Sequence, residues 1–233
     1  MDRPIILASA SPRRRELFEL LELPFQVFTA AVDETPRAGE TPEVLVARLS
    51  ATKAAAVARS LSMAGRSKAS DLTTALSQAL VVAADTVVVI DAEILGKPDD
   101  TTHAKQMLLR LRDRPHTVHS GVAVVEIGSG RAAIQLSVTI VWMRGYDEAE
   151  IETYVATGDP MDKAGAYGIQ HPGFRPAAHF EGCFTGVMGL PLGALVDGLA
   201  HFGVSPPVDV AAVCRAQTGY PCCRETQASQ QPQ

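Results

Sequence analysis

The chain has 233 residues, 46% hydrophobic and 20% charged, a balance that builds one substantial core or two small lobes and excludes disorder of the whole chain. Its longest apolar stretch, Ala79 to Ile90, is interrupted by Asp85 and is too short to cross a bilayer. A formal net charge of -5 argues against a generic nucleic-acid surface, so any anionic ligand has to be gathered by a local cluster of cations.

Pro4 to Ala8 reads as a short strand, and Ser9, Ala10 and Ser11 lead from it into a helix capped by Ser11, with Pro12 first and Leu17, Leu20 and Leu21 as its buried stripe. That helix is expected to end near Leu23. Phe25 to Thr29 is a second strand, and Thr41 and Pro42 open an alanine-rich helix to about Leu61. Residues 62–78 lack periodicity and read as a surface insertion. Leu80 to Ile90 is a strong strand, Thr102 to Leu111 a helix, and Thr117 to Ile127 with Ala133 to Met143 an antiparallel hairpin turned at Gly128, Ser129 and Gly130. Asp147 and Glu150 form a capping box for a helix ending at Gly158. A glycine-rich stretch follows to Gly173, and Pro191 opens a last helix reaching Gly203. From Ser205 proline, glutamine and serine dominate, so a domain over 1–204 with a disordered tail over 205–233 is expected. The N-terminus lacks the segments of a secretory signal. Cys183, Cys214, Cys222 and Cys223 match neither a disulfide framework nor paired zinc knuckles, so a reducing, cytoplasmic address is expected.

Three features point to chemistry. Arg13, Arg14 and Arg15 lie in the first turn of a helix, where the macrodipole is already positive, and a phosphate would satisfy both the guanidinium forks and the unpaired N–H groups. A solvated basic face is the plainer reading of that run taken alone. Asp85 interrupts an apolar strand and needs a cation, a metal or a proton, in catalysis or in a structural ion pair. Lys53, Lys97 and Lys163, unremarkable singly, would with the arginines hold a triphosphate, and Asp33, Glu34 and Asp162 are candidates to help Asp85 hold a hard divalent ion. Of these acids Asp162 reads better as a solvated loop residue. No phosphate-binding GxxxxGK[ST] loop is present, no GxGxxG follows the first strand, no nucleophile-bearing GxSxG is found, and His116 and His119 face opposite ways on a strand.

The segments ILASASPRRREL, VDET at 32–35, AADTVV at 83–88, GKP at 96–98, HSGV at 119–122, GDPMDKAGAYGIQ at 158–170 and VMGLP at 187–191 together resemble the Maf nucleotide pyrophosphatases, from about Ile5 to Val204. The resemblance implies an α/β fold, an elongated mixed sheet flanked by helices with two lobes around a nucleotide cleft, akin to the inosine triphosphate pyrophosphatase architecture. Asp85 matches the family's catalytic acceptor. Arg13, Thr86 and Gln170 match positions marking the subgroup that acts on dTTP and UTP, as distinct from the one preferring 7-methyl-GTP. Ser9, Arg14, Lys53, Lys97 and Lys163 fall among the substrate-binding positions, and Glu34 with Asp85 is expected to hold Mg2+, Mn2+ or Co2+. The chain departs from the pattern at 62–78 and over HPGFRPAAHFEGCFTGV, where Cys183, Phe184 and Thr185 stand in place of an acid and an aromatic.

The expected reaction is hydrolysis of a nucleoside triphosphate, dTTP or UTP first, to the monophosphate and pyrophosphate, with housekeeping removal of non-canonical nucleotides as a further role. A modified nucleotide as substrate, and a nucleotide-binding regulator of division with little turnover, are the alternatives. The expected partner is a small nucleotide, with neither nucleic acid nor membrane, and a homodimer is compatible with the sequence.

Overall fold

The structure, a computed structural model, describes residues 3–65 and 75–228. Seven strands form one mixed sheet: β1 (Ile5–Leu7), β2 (Phe25–Val27), β3 (Leu80–Ile90), β4 (Glu93–Leu95), β5 (Pro115–Glu126), β6 (Ala132–Met143) and β7 (Ala177–Glu181). Their order is β2-β1-β3-β5-β6-β7, with β4 also on β3. β1 runs parallel to β2 and β3, and every other pairing is antiparallel.

β3 organises the molecule because both its faces are covered. Leu80, Val82 and Ala84 pack under α1 (Pro12–Glu19) and α6 (Leu192–Ala200), through Leu17, Phe18, Leu195 and Leu199. Farther along the same face, Val88 and Ile90 pack under α3 (Thr101–Leu111) and α4 (Glu148–Ala156), through Leu108, Leu111, Ile151 and Tyr154. These two apolar clusters are the cores of two lobes, and Thr86 stands at the boundary between them. Val81, Ala83 and Val87 point the other way, against α2 (Pro42–Gly65). α2 can lie close because β5 carries glycine at 121, where a Cβ would sit 2.5 Å from the Val46 carbonyl oxygen.

β5 lines one edge of β3 along nearly its whole length, so β1 and β4 share the other edge. β1 pairs as far as Val82, and β4 pairs only from Val88. Between them, residues 83–87 of β3 have no strand neighbour on that side among the described residues. Both flanking chains turn away there, one into Ser9 to α1 and the other into Gly96 and Lys97. The resulting notch faces Asp85 and Thr86.

Several expectations need adjusting. β4 and β7 are short edge strands carrying Glu93, His179 and Glu181, too polar for an apolar run to announce them. α5 (Phe184–Val187), a single turn, was also unforeseen. α1 stops at Glu19 instead of Leu23, since Glu22 takes a positive φ of 52°. α2 continues to Gly65, so the expected insertion at 62–78 begins inside it, and 66–74 lie outside the described residues. Past Ser205 the chain forms α7 (Val210–Thr218) and α8 (Cys223–Ala228) where a disordered tail was expected. Asp209 caps α7, and Val210, Cys214 and Cys222 are buried in the core of the α1 and α6 lobe, which gives this segment an apolar anchor its composition conceals. No helix among the described residues is long and apolar enough to cross a membrane.

Candidate active site

The notch opens into a cleft of about 810 Å³. Ser9, Arg13, Arg14, Glu34, Lys53, Asp85, Thr86, Lys97, Lys163 and Gln170 all line it, joined by Asp162. Five cations face three acids there, so a chain of net charge -5 presents a locally positive cavity, as holding a polyanion requires. Asp33 is not among the lining residues, and its carboxylate caps the Thr35 N–H at 2.9 Å. His116 and His119 also lie outside the cleft. His116 bonds the Tyr167 hydroxyl at 2.7 Å, and His119 faces Glu43 at 3.1 Å.

Asp85 is 6% exposed, and burial raises the pKa of its carboxyl even though Lys53 opposes the shift. The Lys53 Nζ donates to Asp85 Oδ1 at 2.5 Å and stands 3.0 Å from Glu34 Oε2. One lysine on α2 thus sits between a carboxylate from β3 and one from the loop before α2. No donor occupies Asp85 Oδ2 among the described residues, so that oxygen remains open for a proton or a ligand. Two carboxylates already converging on one cation also fit a hard divalent ion. With no group of three or more such side chains among the described residues, the remaining ligands would be phosphate oxygens and water, a usual arrangement for magnesium.

Ser11 caps α1 by accepting the Arg14 N–H at 3.5 Å, which aims the first turn at the cleft. Arg14 is pinned by its Nε, which donates to the Gly189 carbonyl at 2.8 Å, leaving the rest of its guanidinium for a ligand. Arg13 reaches across to Asp162 at 3.0 Å. Lys163 is 6% exposed and fully engaged: its ammonium donates to the Asp159 carbonyl, to Asp159 Oδ1 at 2.8 Å and to Asp162 Oδ1 at 2.9 Å. It therefore braces the cleft wall and has no donor left for phosphate. Tyr154 donates to Asp159 Oδ2 at 2.6 Å and accepts the Gly168 N–H at 2.9 Å, fixing the segment that carries Gln170. Burial, the largest single influence, pushes Asp159 and Asp162 upward, but Lys163 together with Tyr154 on the first and Arg13 on the second outweighs it, and both end below the ordinary carboxylate range.

At the far end, the Ser120 hydroxyl donates to the Gly186 carbonyl at 2.8 Å, so its contact with Thr86 at 2.8 Å must be donated by Thr86. Thr86 is left with lone pairs to accept from a ligand. Gln170 is exposed at the cleft mouth, and with Met188 it also borders a second cavity.

The family model described as Maf-like protein matches residues 4–202. The chain belongs to the Maf-like protein family. It is 45% identical over 201 residues to the dTTP/UTP pyrophosphatase of Pelotomaculum thermopropionicum, covering 86% of this chain and 97% of that one. Its identity to the dTTP/UTP pyrophosphatase of Moorella thermoacetica is 44% over 200 residues, covering 86% and 95%. Among solved structures, the Staphylococcus aureus Ham1 protein aligns with a TM-score of 0.36 and 14% identity over 60% of this chain and 72% of that one.

In this Maf-like chain, sequence reasoning missed Asp159, Tyr154, Ser120 and the Gly189 carbonyl, and undervalued Asp162. Backbone carbonyls leave no sequence signal. Asp159 and Asp162 did leave one, since they precede Lys163 by four residues and by one, and two acids within reach of one lysine in a tight turn are an ion network in miniature.

Proposed function

We propose that this protein hydrolyses nucleoside triphosphates, dTTP and UTP foremost, to the monophosphate and pyrophosphate. The carrying observation is that the arginines of α1 and the buried Asp85 line one cleft, with Arg14 close enough for its charge to act on Asp85. Family membership and the names of the relatives support the same reading.

Asp85 Oδ2 takes the proton of a water attacking the α-phosphorus, and its burial-raised proton affinity suits a base. Lys53 holds Oδ1 and so fixes the carboxylate plane. Arg13 and Arg14 neutralise charge that builds on the departing pyrophosphate, and Lys97 steadies the chain. Lys163 acts through Asp162 by holding it for Arg13. Glu34 and Asp85 would hold Mg2+ or Mn2+, which supplies charge neutralisation on the phosphate oxygens. Thr86 accepts the N3–H of thymine or uracil, and the Gln170 carboxamide pairs a carbonyl edge. Ser9, whose hydroxyl accepts the Ser11 N–H at 3.2 Å, shapes the loop that receives the phosphates.

A panel of canonical triphosphates and 7-methyl-GTP, assayed for pyrophosphate release with Mg2+, Mn2+ or Co2+ and again with EDTA, tests the proposal. Highest kcat/KM for dTTP and UTP, lost on chelation, is expected. Tight binding without turnover under every metal would overturn the enzyme reading, and preference for 7-methyl-GTP would overturn the substrate reading.

A further inference from the structure

β6 inverts the usual pattern of a strand covered on one side, in which apolar side chains point inward and polar ones outward. Its inward side chains include Gln135, Ser137 and Thr139, which pack under α6 and α5. Thr139 Oγ1 donates to the Cys183 carbonyl at 3.2 Å and accepts the Cys183 N–H at 2.9 Å. The outward side chains are Ile134, Leu136, Val138 and Ile140, with no polar residue among them, and each is between 36% and 47% exposed. They are four of the ten large apolar side chains exposed among the described residues, and they stand in one unbroken row.

The row lies on the α2 side of the sheet, because Leu136 pairs with Gly121 of β5, and Gly121 faces Val46 of α2. Leu45, Leu49 and Lys53 turn one flank of α2 to the cleft, so the opposite flank, Val44, Ala47, Ala51 and Ala55, borders β6. Val44 is exposed and the three alanines are half-buried. Strand and helix together form a shallow apolar trough.

We propose that this trough is where a second copy of the chain docks, forming a symmetric homodimer. Exposed apolar residues scattered singly need no explanation, but a contiguous band does. Residues 1–2, 66–74 and 229–233, which lie outside the described residues, hold just Met1 and Leu72 as large apolar side chains, too few to cover the row. The area fits a partner subunit. β6 spans 12 residues, about 40 Å of strand, and with the α2 flank and β7 beside it the band is about 20 Å wide. That is about 800 Å² per copy, the share each subunit gives to an interface of standard size. A row of similar side chains centred on Leu136 also complements itself under a two-fold axis, as a symmetric dimer requires. With the axis along β6, the two α2 helices fall on opposite sides of the paired rows, and Leu136 meets its own counterpart. The cleft lies on the far flank of α2, outside the trough.

Sedimentation velocity of the full-length protein at micromolar concentration tests the proposal independently of nucleotide turnover. Wild type is expected at twice the chain mass. Leu136→Glu and Leu136→Lys should each sediment as a monomer with the near- and far-ultraviolet circular dichroism of wild type, because the side chain is exposed within one chain. Mixing the two variants should restore a dimer, since opposite charges then face each other across the axis. Should a variant fail to fold, hydroxyl-radical footprinting of wild type still decides, with Ile134, Leu136, Val138 and Ile140 protected at high concentration and labelled on dilution. A monomeric wild type overturns the proposal. So does a dimer that Leu136→Glu leaves intact, a pair of folded charge variants that stay monomeric when mixed, or a row labelled equally at both concentrations.

Discussion

Two lysines line the same cleft in near-identical company and do opposite things. Lys53 sits between Glu34 and Asp85, and Lys163 between Asp159 and Asp162. Lys163 is the buried member of its set, its acids are partly solvated, and every donor is spent, so both carboxylates are held ionised. In the other set the acid is buried deepest. Asp85 shares its lysine with Glu34 and keeps one oxygen open, so desolvation wins and its pKa rises. Composition cannot separate the two sets, and burial of the carboxylate does.

Among changes to the two lysine sets, the largest expected effect comes from removing the lysine beside the proposed base. Lys53→Met should lower kcat by about 10²–10³, the loss typical of one preorganised donor, and shift the acid limb of the kcat/KM profile to higher pH, because Asp85 loses its main charge partner. Lys163→Met should instead act on the fold, costing about 3 kcal/mol in denaturant unfolding, since it leaves Asp159 without its cation. A milder disturbance is Gly121→Ala, whose methyl meets the Val46 carbonyl and lifts α2. A loss of about 1–3 kcal/mol is expected, with kcat reduced while the Lys163 set stays intact.

Asp162→Asn breaks an exposed pair with Arg13, worth at most about 1 kcal/mol, and should raise KM no more than about fivefold with little change in kcat. The smallest contrast is one of sign. Asp162 has a lowered pKa, so its contribution to stability is present above the ordinary carboxylate range and lost as pH falls. Asp85 has a raised pKa, so its ionisation destabilises the fold as pH rises through that range. Thermal unfolding should therefore find Asp162→Asn less stable and Asp85→Asn more stable than wild type near neutrality, with both differences fading in acid.

How legible each region was follows from the same physics. Asp85 stood out because a carboxylate inside LVVAADTVVVI has no cheap explanation, and Ser11, Pro12 and the three arginines announced a capped helix with something anionic before it. The motifs placed ten residues whose shared cleft no periodicity could have assembled, since the notch arises only where β1 and β4 part from β3. The Lys163 network was hidden because loop acids are usually solvated. The C-terminal helices were hidden because their buried apolar anchors, Val210, Cys214 and Cys222, are few and stand amid residues that favour a tail.

The central claim is that Asp85 acts on a bound triphosphate and does not merely help hold it. The most direct measurement pairs pyrophosphate release from dTTP with calorimetric binding of a non-hydrolysable dTTP analogue, in wild type and Asp85→Asn. A fall in turnover of about 10²–10⁴ with analogue affinity within a few fold of wild type is the expected result. Undiminished turnover in the variant would contradict it.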